Sequence, residues 1–362
     1  MRRTTALIVG AGPAGSAAAI VLARGGARPV VLERSRETGD ALCGGFLSWR
    51  TLDRLHALGI DPDRLSRRRI GRVHVFASGR EVEAPLPRPA LAVSRRTFDT
   101  VMLAEAERAG AGVERGVAVR SAEAGSMVLA DGTTLSPGTL FLAVGKHDLR
   151  GLARPTPGAG DDPALGLRVR IAPTDAMRRR IEDAIELHLF DRGYAGLAVQ
   201  EDGTANLCLA VRRSRLHEAG SPDALLQAIA RETPVFGDWL AMRESGCGVD
   251  AVANVPYGWR MRKGVAGLFR LGDQAAVIPS LAGEGMGIAV ASGCSAAAAY
   301  AHGGAAASAG WQRRFAHDAG VPVRMAGLVR DLAEGPIAPR ALPWLARAPF
   351  LIQVIARATR MM

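Results

Sequence analysis

The sequence predicts an α/β protein with a parallel sheet, a second antiparallel sheet in the middle of the chain, and a helical C-terminal tail. Three observations predict this class. A strand–helix–strand unit opens the chain, strand-like runs dominate residues 164–256, and helical spacing prevails from about residue 308 onward. A length of 362 residues allows one large α/β domain and a smaller partner domain.

The first sixty residues contain the strongest secondary-structure signals. Residues 4–9 predict a short buried strand, Pro13 to Arg24 a helix that ends at Gly25-Gly26, and Pro29 to Glu33 a second strand. Such a β-α-β unit is typical of a parallel sheet. Met1-Arg2-Arg3 before an apolar run resembles the start of a signal peptide, but the run breaks at Gly10 without a cleavage-type ending, which favours a strand.

The remaining elements follow in chain order. Apolar residues at helical spacing predict a helix over 97–109, and alternation predicts short strands and a hairpin before a buried strand at 138–145. Residues 151–163, rich in Pro, Gly and Asp, predict a linker. The later predicted elements are strands at 166–172, 184–190, 196–200 and 205–212, a helix at 222–232, and a strand at 265–271 followed by a helix to Tyr300.

Composition limits the function classes. The formal charge is +11, but arginine supplies almost all of the positive charge and its longest block is Arg178-Arg179-Arg180. This spread favours a codon bias toward arginine, so we expect no nucleic-acid partner. The four cysteines form no C-x-x-C pair, which predicts neither a metal site nor a disulfide framework and favours a reducing cytoplasm.

A glycine-rich turn joins the first predicted strand to the first helix. Gly10 permits a tight turn, Gly12 allows the backbone to approach a pyrophosphate beside Pro13 and Ala14, and Gly15 allows the helix to lie close to the sheet. Glu33, followed by Arg34, ends the second strand at the place where a carboxylate binds the ribose of an adenosine. This context predicts a dinucleotide site without deciding between NAD and FAD.

A second glycine-rich segment resembles that of glutathione-reductase-type flavoproteins. Its residues are Gly272 and Asp273, then Gly283, Gly285, Met286 and Gly287. The resemblance implies FAD, with Asp273 on the ribityl chain and the Gly283–Ile288 segment at the pyrimidine edge of the flavin. Val93-Ser94-Arg95 resembles the helix start that brings an arginine, here Arg95, to the FAD phosphates. The strand around Val119 resembles the segment whose backbone contacts the adenine.

The segment Leu42-Cys43-Gly44-Gly45 resembles that of the geranylgeranyl reductase-like branch, which is related to flavin monooxygenases and flavin halogenases. The resemblance implies that Cys43 and Gly44 line the flavin face. Cys43 has no close cysteine in sequence, so a small residue beside the flavin is expected rather than a catalytic thiol. Tyr194 alone remains of the branch's Y-x-W-x-F-P motif, which implies a reshaped active-site cavity. The lysine and the W-x-W-x-I-P motif of halogenases are absent, so halogenation is not expected.

The resemblance completes the predicted architecture. It implies an FAD/NAD(P)-binding Rossmann-like domain of glutathione-reductase type, an antiparallel-sheet substrate domain and a helical tail. The FAD-binding domain is predicted from residues 1–50, 93–150 and 264–305. The substrate domain is predicted from 51–92 and 151–263, and the C-terminal helices from 306–362.

The predicted function is that of an FAD-dependent oxidoreductase acting on an apolar isoprenoid, polyketide or aromatic molecule, with hydride transfer through flavin N5. One alternative is a flavin monooxygenase that hydroxylates an aromatic or polyketide-like substrate; another is a non-catalytic flavin- or lipid-binding protein. Since no second dinucleotide-binding unit is present, NAD(P)H is expected only as a transient electron donor. Lys146 and Arg150 are interpreted as strand-end residues, with a nucleotide phosphate contact as the alternative. We expect a cytoplasmic protein, with peripheral membrane contact through the C-terminal helix as a further alternative.

Overall fold

The computed structural model of the chain describes residues 6–123, 125–154, 162–181, 183–335 and 338–361. These residues form the following strands, in chain order: β1 (Leu7–Val9), β2 (Val30–Glu33), β3 (Phe46–Leu47), β4 (Arg69–Ala77), β5 (Arg80–Ala92), β6 (Gly112–Arg115), β7 (Val119–Glu123), β8 (Ser126–Leu129), β9 (Thr134–Leu135), β10 (Leu140–Leu142), β11 (Ala164–Ile171), β12 (Ala184–Phe190), β13 (Gly193–Val199), β14 (Ala205–Arg212), β15 (Asp250–Val252) and β16 (Leu268–Arg270).

The α-helices of the described residues are, in chain order, α1 (Pro13–Arg24), α2 (Trp49–Ala57), α3 (Arg95–Arg108), α4 (Asp175–Arg180), α5 (Arg213–Ala219), α6 (Pro222–Glu232), α7 (Pro234–Leu240), α8 (Gly285–Gly303), α9 (Ala307–Asp318), α10 (Gly320–Ala333), α11 (Ala338–Arg347) and α12 (Phe350–Ala358). The predicted helices at 13–24 and 222–232 match α1 and α6, and the helical tail is present as α9 to α12. The predicted linker at 151–163 lies largely outside the described residues.

The first sheet is parallel and has the strand order β16-β10-β1-β2-β6. Its central strands are short apolar runs that are buried, as expected of a parallel sheet covered by helices. Helices α1, α3 and α8 belong to one core with this sheet. Phe141 and Phe269, on neighbouring strands, stack with their ring centroids 4.7 Å apart. The predicted α/β flavoprotein fold is confirmed.

The second sheet has eight strands in the order β15-β11-β14-β13-β12-β4-β5-β3. Its pairs are antiparallel except β12 with β4, which are parallel. The predicted antiparallel sheet is thus present, with one parallel pair within it. The parallel pair arises because the chain leaves this sheet after β5, builds much of the first sheet, and then returns.

Each face of the second sheet has a different partner. Buried residues of β12 alternate with half-buried ones, so one face of the strand is fully covered and the other partly covered. Glu186 and His188 point toward α7, where the carboxylate accepts a hydrogen bond of 2.7 Å from Trp239 Nε1. The aliphatic residues Ile185, Leu187 and Leu189 pack instead on the opposite face, with side chains of α11 and α12. His74 on β4 and His188 on β12 are residues of this sheet.

A candidate flavin site between the two sheets

The glycine-rich turn between β1 and α1 has the geometry that a phosphate needs. Gly10 has φ +102°, and a Cβ there would lie 2.5 Å from the carbonyl oxygen of Ala143, so no other residue fits. A Cβ at Gly12 would lie 3.5 Å from Arg95 Nη2. The guanidinium of Arg95 therefore lies beside the N-terminus of α1, where helix N–H groups and a cation together suit an anion.

Arg95 is held in this place by its own helix. Its Nε and Nη2 donate hydrogen bonds of 2.8 and 2.6 Å to the Asp99 carboxylate, one turn along α3. Burial disfavours the charge, but the Asp99 carboxylate outweighs it, so the pKa of Arg95 is raised. The guanidinium is thus a cation beside the N-terminus of α1, where the resemblance places the pyrophosphate.

Glu33 lies at the carboxyl end of β2 with its carboxylate fixed by the backbone. Its Oε2 accepts a hydrogen bond of 2.9 Å from the Ala11 nitrogen, and its Oε1 accepts one of 2.9 Å from Ser35. Arg34 contacts the ring of His147, with 2.9 Å between Nη2 and Nε2. Burial, followed by the nearby Arg34 cation, lowers the pKa of His147, which keeps the imidazole neutral.

Asp273 lies in a short 3-10 turn that follows β16. The turn is anchored by a hydrogen bond of 2.8 Å from the Gly272 nitrogen to Ser292 Oγ on α8. Arg154, whose side chain is buried, donates a hydrogen bond of 3.1 Å to the Asp273 carbonyl and pairs with Asp148. Sequence reasoning missed Arg154, because it follows no motif and reaches Asp273 only through the fold.

The segment before α8 is fixed by the C-terminal end of the described chain. Glu284 is fully buried and faces the Arg360 guanidinium at 3.4 Å. Its Oε1 accepts a hydrogen bond of 3.3 Å from the Met361 nitrogen. Burial raises the pKa of Glu284, although Arg360 opposes this effect. Arg360 also lies over the rings of Phe46 and Trp49. Its contacts therefore hold the Gly283–Gly287 segment close to β3.

The Cys43-Gly44 segment is held by strands of the second sheet. The Cys43 carbonyl accepts hydrogen bonds from Asn206 Nδ2 at 2.8 Å and from Cys208 Sγ at 3.1 Å. Cys208 therefore lies close to Cys43 although the two are far apart in the sequence, and both thiols are free. Burial raises the pKa of Cys208 to about 12, so this thiol stays protonated at neutral pH and is a poor nucleophile. Lys146 donates a hydrogen bond of 2.8 Å to the Leu42 carbonyl and so secures the same segment.

One cavity of about 1090 Å³ connects these groups. Most of the predicted site residues line it, namely Gly10, Gly12, Pro13, Ala14, Glu33, Arg34, Cys43, Gly44, Arg95, Val119, Tyr194, Gly272, Asp273, Gly283, Gly285 and Met286. Gly15 and Gly287 lie behind this lining. A Cβ at Gly15 would overlap the Gly10 carbonyl, and one at Gly287 would lie 2.8 Å from Thr51 Oγ1, so both allow close packing.

The residues present fit FAD. A cation and a helix N-terminus meet at the pyrophosphate position, a fixed carboxylate lies at the ribose position, and the Asp273 turn and the α8 N-terminus adjoin the same cavity. Individual contacts to the cofactor remain predictions.

Beyond the predicted residues, the cavity has one cluster of hydroxyl groups. Tyr194 Oη lies 2.6 Å from Ser280 Oγ, and Tyr257 Oη donates to the same atom at 3.0 Å. Burial raises the pKa of Tyr257 to about 12 and that of Tyr194 well above its ordinary value, so both phenols stay neutral. Sequence reasoning named Tyr194 only; Ser280 and Tyr257 carry no motif.

Comparison with known proteins agrees with this geometry. Residues 3–134 match the family model described as an FAD binding domain. The menaquinone reductase of Mycolicibacterium smegmatis is 29% identical over 372 residues, which cover 94% of this chain and 88% of that protein. The chain is an FAD-dependent oxidoreductase. As its motifs predict, it is also similar to a geranylgeranyl reductase: the digeranylgeranylglycerophospholipid reductase 2 of Methanopyrus kandleri is 39% identical over 111 residues, which cover 30% of this chain and 27% of that protein.

Solved structures show the same fold for this FAD-dependent oxidoreductase. The flavin-dependent brominase Bmp2 superposes with a TM-score of 0.79 at 17% identity, covering 99% of this chain and 93% of that one. A geranylgeranyl bacteriochlorophyll reductase-like protein from Thermoplasma acidophilum superposes with a TM-score of 0.73 at 19% identity, with the same coverage of 99% and 93%. At these identities the likeness concerns the fold alone.

Proposed function

We propose that this oxidoreductase reduces a carbon–carbon double bond in an apolar molecule of the isoprenoid type, such as the side chain of a lipid quinone. Bound FAD supplies the hydride chemistry. The menaquinone reductase relative, named for an isoprenoid quinone, supports this substrate class. Polyketide and aromatic molecules are the other substrates that the motifs allow.

The observation that carries the proposal is the character of the cavity walls. Away from the glycine-rich turns the cavity is lined by aliphatic side chains from both layers that enclose it. These residues are Val73, Val75, Leu86, Ile185, Leu187, Leu189, Leu342, Leu345, Ile352 and Ile355. An extended apolar chain buries favourably against such walls, whereas a charged substrate would lose its hydration without a partner.

The hydroxyl cluster supplies the polar contact of this cavity. Neutral Tyr194 and Tyr257, joined through Ser280, suit a hydrogen bond to a carbonyl or quinone oxygen of the substrate. Such a contact would orient one end of a molecule whose remainder is apolar. We therefore assign these three residues a positioning role rather than one as general acids, because a phenol with a pKa of about 12 is a weak proton donor at neutral pH.

The electron donor is proposed to dock transiently, with NAD(P)H as the first candidate. The FAD-loaded protein is mixed without oxygen with NADPH, NADH or dithionite, and loss of the oxidised flavin absorbance is followed. Menaquinone is then added, and the recovered quinone is reoxidised in air before mass spectrometry. Retention of two additional hydrogen atoms after this reoxidation is the expected result, because a reduced quinone ring would lose them whereas a saturated side chain keeps them.

The rival reactions give different products in the same assay. A product that incorporates oxygen from isotopically labelled O₂ would replace the reductase with a monooxygenase. A flavin that is reduced but passes its electrons to none of the isoprenoid, polyketide or aromatic acceptors would favour a binding protein. Oxygen incorporation into an aromatic acceptor would also replace the isoprenoid substrate of the proposal with an aromatic one.

A further inference from the structure

The exposed apolar side chains of this molecule are concentrated on its C-terminal helices. Among the described residues, eight large apolar side chains are markedly exposed, and all except Val265 lie on α10, α11 or α12. The most exposed are Trp344 at 69%, Phe350 at 61% and Leu328 at 58%. Isolated apolar residues are ordinary on a surface, but such a concentration marks an interaction site.

The same helices form a wall of the apolar cavity. Leu342, Leu345 and Ile352 pack inward against β4, β5 and β12. Trp344 and Leu332 line the cavity and yet are 69% and 54% exposed, so they lie where the cavity meets the surface. The exposed apolar surface is thus continuous with the interior in which we place the substrate.

Positive charge lies beside the exposed apolar residues of α11 and α12. From Gly335 to the end of the chain the sequence has four arginines and neither Asp nor Glu. Arg360 is buried, whereas Arg340, Arg347 and Arg357 are exposed. Arg347 lies over the ring of Trp344, with 5.7 Å from Cζ to the ring centroid.

The arrangement along each helix is that of an interfacial helix. Arg340, Trp344 and Arg347 are spaced four and three residues apart, which places them on one side of α11. Phe350, Val354 and Arg357 repeat this spacing on α12. Among the described residues no helix is long and apolar enough to cross a membrane. Short helices with bulky apolar residues and arginines side by side instead lie in the plane of a bilayer surface.

We propose that the outer face of α11 and α12 docks on an anionic phospholipid bilayer, so that an apolar substrate passes from the lipid into the cavity past Trp344 and Leu332. The exposed arginines select this occupant over a second copy of the chain, because two such faces would bring six exposed cations together. Each exposed arginine is attracted to an anionic membrane. The substrate route rests on the proposed function, whereas the docking itself does not.

The test is sedimentation of the FAD-loaded protein with vesicles of phosphatidylcholine, with and without phosphatidylglycerol. We expect binding to the anionic vesicles that weakens as salt is raised, and little binding to phosphatidylcholine alone. Turnover is not needed for this measurement. Failure to bind would therefore overturn the docking surface and leave the proposed reaction standing, while a failed reaction would leave the docking intact.

Matched variants separate this face from the rest of the surface. Trp344→Ser with Phe350→Ser should weaken vesicle binding about tenfold or more, whereas Val265→Ser, which also removes an exposed apolar side chain, should not. Arg347→Ala with Arg357→Ala should weaken it about fivefold for each charge removed. Arg313→Ala with Arg314→Ala removes two exposed arginines of α9 and serves as the control for net charge.

A fluorescence measurement reports the insertion itself. Trp49, Trp239 and Trp311 are buried and Trp259 is half-buried, so Trp344 is the tryptophan available to lipid. Brominated acyl chains should quench its emission, and Trp344→Phe should abolish the quenching while much of the binding remains. Equal loss of binding in the control variants would overturn the proposal. So would a dimer in solution that Trp344→Ser dissociates, since a second copy would then occupy this face.

Discussion

The hydroxyl cluster of Tyr194, Ser280 and Tyr257 gives a pH dependence that belongs to single residues. Burial raises the pKa of Tyr257 to about 12, against about 10 for a tyrosine in an unfolded chain. The neutral phenol is therefore favoured in the folded state. Between pH 10 and pH 12, roughly, the unfolded chain releases a proton that the folded chain keeps, so the free energy of unfolding falls as pH rises through this range.

We expect chemical denaturation to show that Tyr257 adds no pH dependence to the free energy of unfolding below about pH 10. In Tyr257→Phe the decline in stability above this pH should be shallower than in the parent chain. Ultraviolet absorbance of the phenolate in the two proteins, recorded over the same range, identifies the titrating group. A phenolate signal near pH 10 from Tyr257 in the folded protein would contradict the burial argument.

Among single residues of the site, the sequence predicted those whose position follows from a local motif. Gly10, Glu33 and Gly272 lie in turns that adjoin strands of one parallel sheet, so their spacing along the chain already brings them to one edge. Arg154 and Tyr257 lie outside such motifs. They reach the site through side-chain contacts made only in the folded chain, and a single sequence contains no signal for them.

Strands of the second sheet also hold the Cys43-Gly44 segment, which is predicted to line the flavin face. Asn206 on β14 is buried and donates to the Cys43 carbonyl at 2.8 Å. Asn206→Ala removes this donor, so we expect a loss of about 1–3 kcal/mol in the free energy of unfolding. Because the lost bond holds the Cys43-Gly44 segment, FAD affinity should also weaken by about tenfold, as followed by flavin fluorescence.

Leu207, the next residue on β14, provides a control that distinguishes loss of the contact with Cys43 from a general loss of stability. Leu207 is fully buried on the opposite side of β14, in the core shared with α6 and α7. Leu207→Ala should cost about 2–5 kcal/mol of stability while leaving FAD affinity unchanged under folding conditions. If both variants weaken FAD binding equally, Asn206 acts through overall stability alone and the support is not specific.

Element prediction succeeded for β12 and β14, whose observed bounds are those predicted, and missed the long strand β5 that pairs with β4. Pro85, Pro87 and Pro89 lie within β5, and prolines at this density argue against a strand. Pro87 and Pro89 lie where the register with β4 shifts, between the pairs of Pro85 with Arg72 and of Ala90 with Ile70, so no regular ladder bond is lost there. Helices α11 and α12 pack against this strand, a tertiary contact that the sequence pattern did not reveal.

On the scale of the whole molecule, the cavity lies between the two sheets and takes residues from both. The pairing of β3 with β5 and the contacts of β14 with Cys43 join residues that the predicted division assigns to separate domains. That division was drawn from the pattern of elements along the chain and from the resemblance, which show where the chain changes sheets but not how the sheets contact each other. The predicted domain bounds therefore stay predictions.

This joint cavity predicts how FAD affects unfolding. A ligand that binds only the folded state stabilises it by about 2.7 kcal/mol at a hundred times its Kd, which corresponds to a few degrees in Tm for a chain of this size. Because residues of both sheets line the cavity, we expect bound FAD to stabilise the two sheets together. Trp239 reports on the core of the second sheet and Trp311 on that of the first.

In a parent chain in which Trp49, Trp259 and Trp344 are replaced by Phe, the two tryptophans can be followed separately in Trp239→Phe and Trp311→Phe. Adding FAD to the cofactor-free protein should raise the melting temperature in both variants by the same few degrees. Riboflavin, which lacks the pyrophosphate and adenosine that the Gly10–Gly15 turn and Glu33 are predicted to bind, should raise it much less. A shift confined to Trp239→Phe, in which Trp311 reports, would mean that FAD stabilises the first sheet alone. The second sheet would then unfold as an independent unit, and the contacts of Asn206 with Cys43 would carry little energy between the layers.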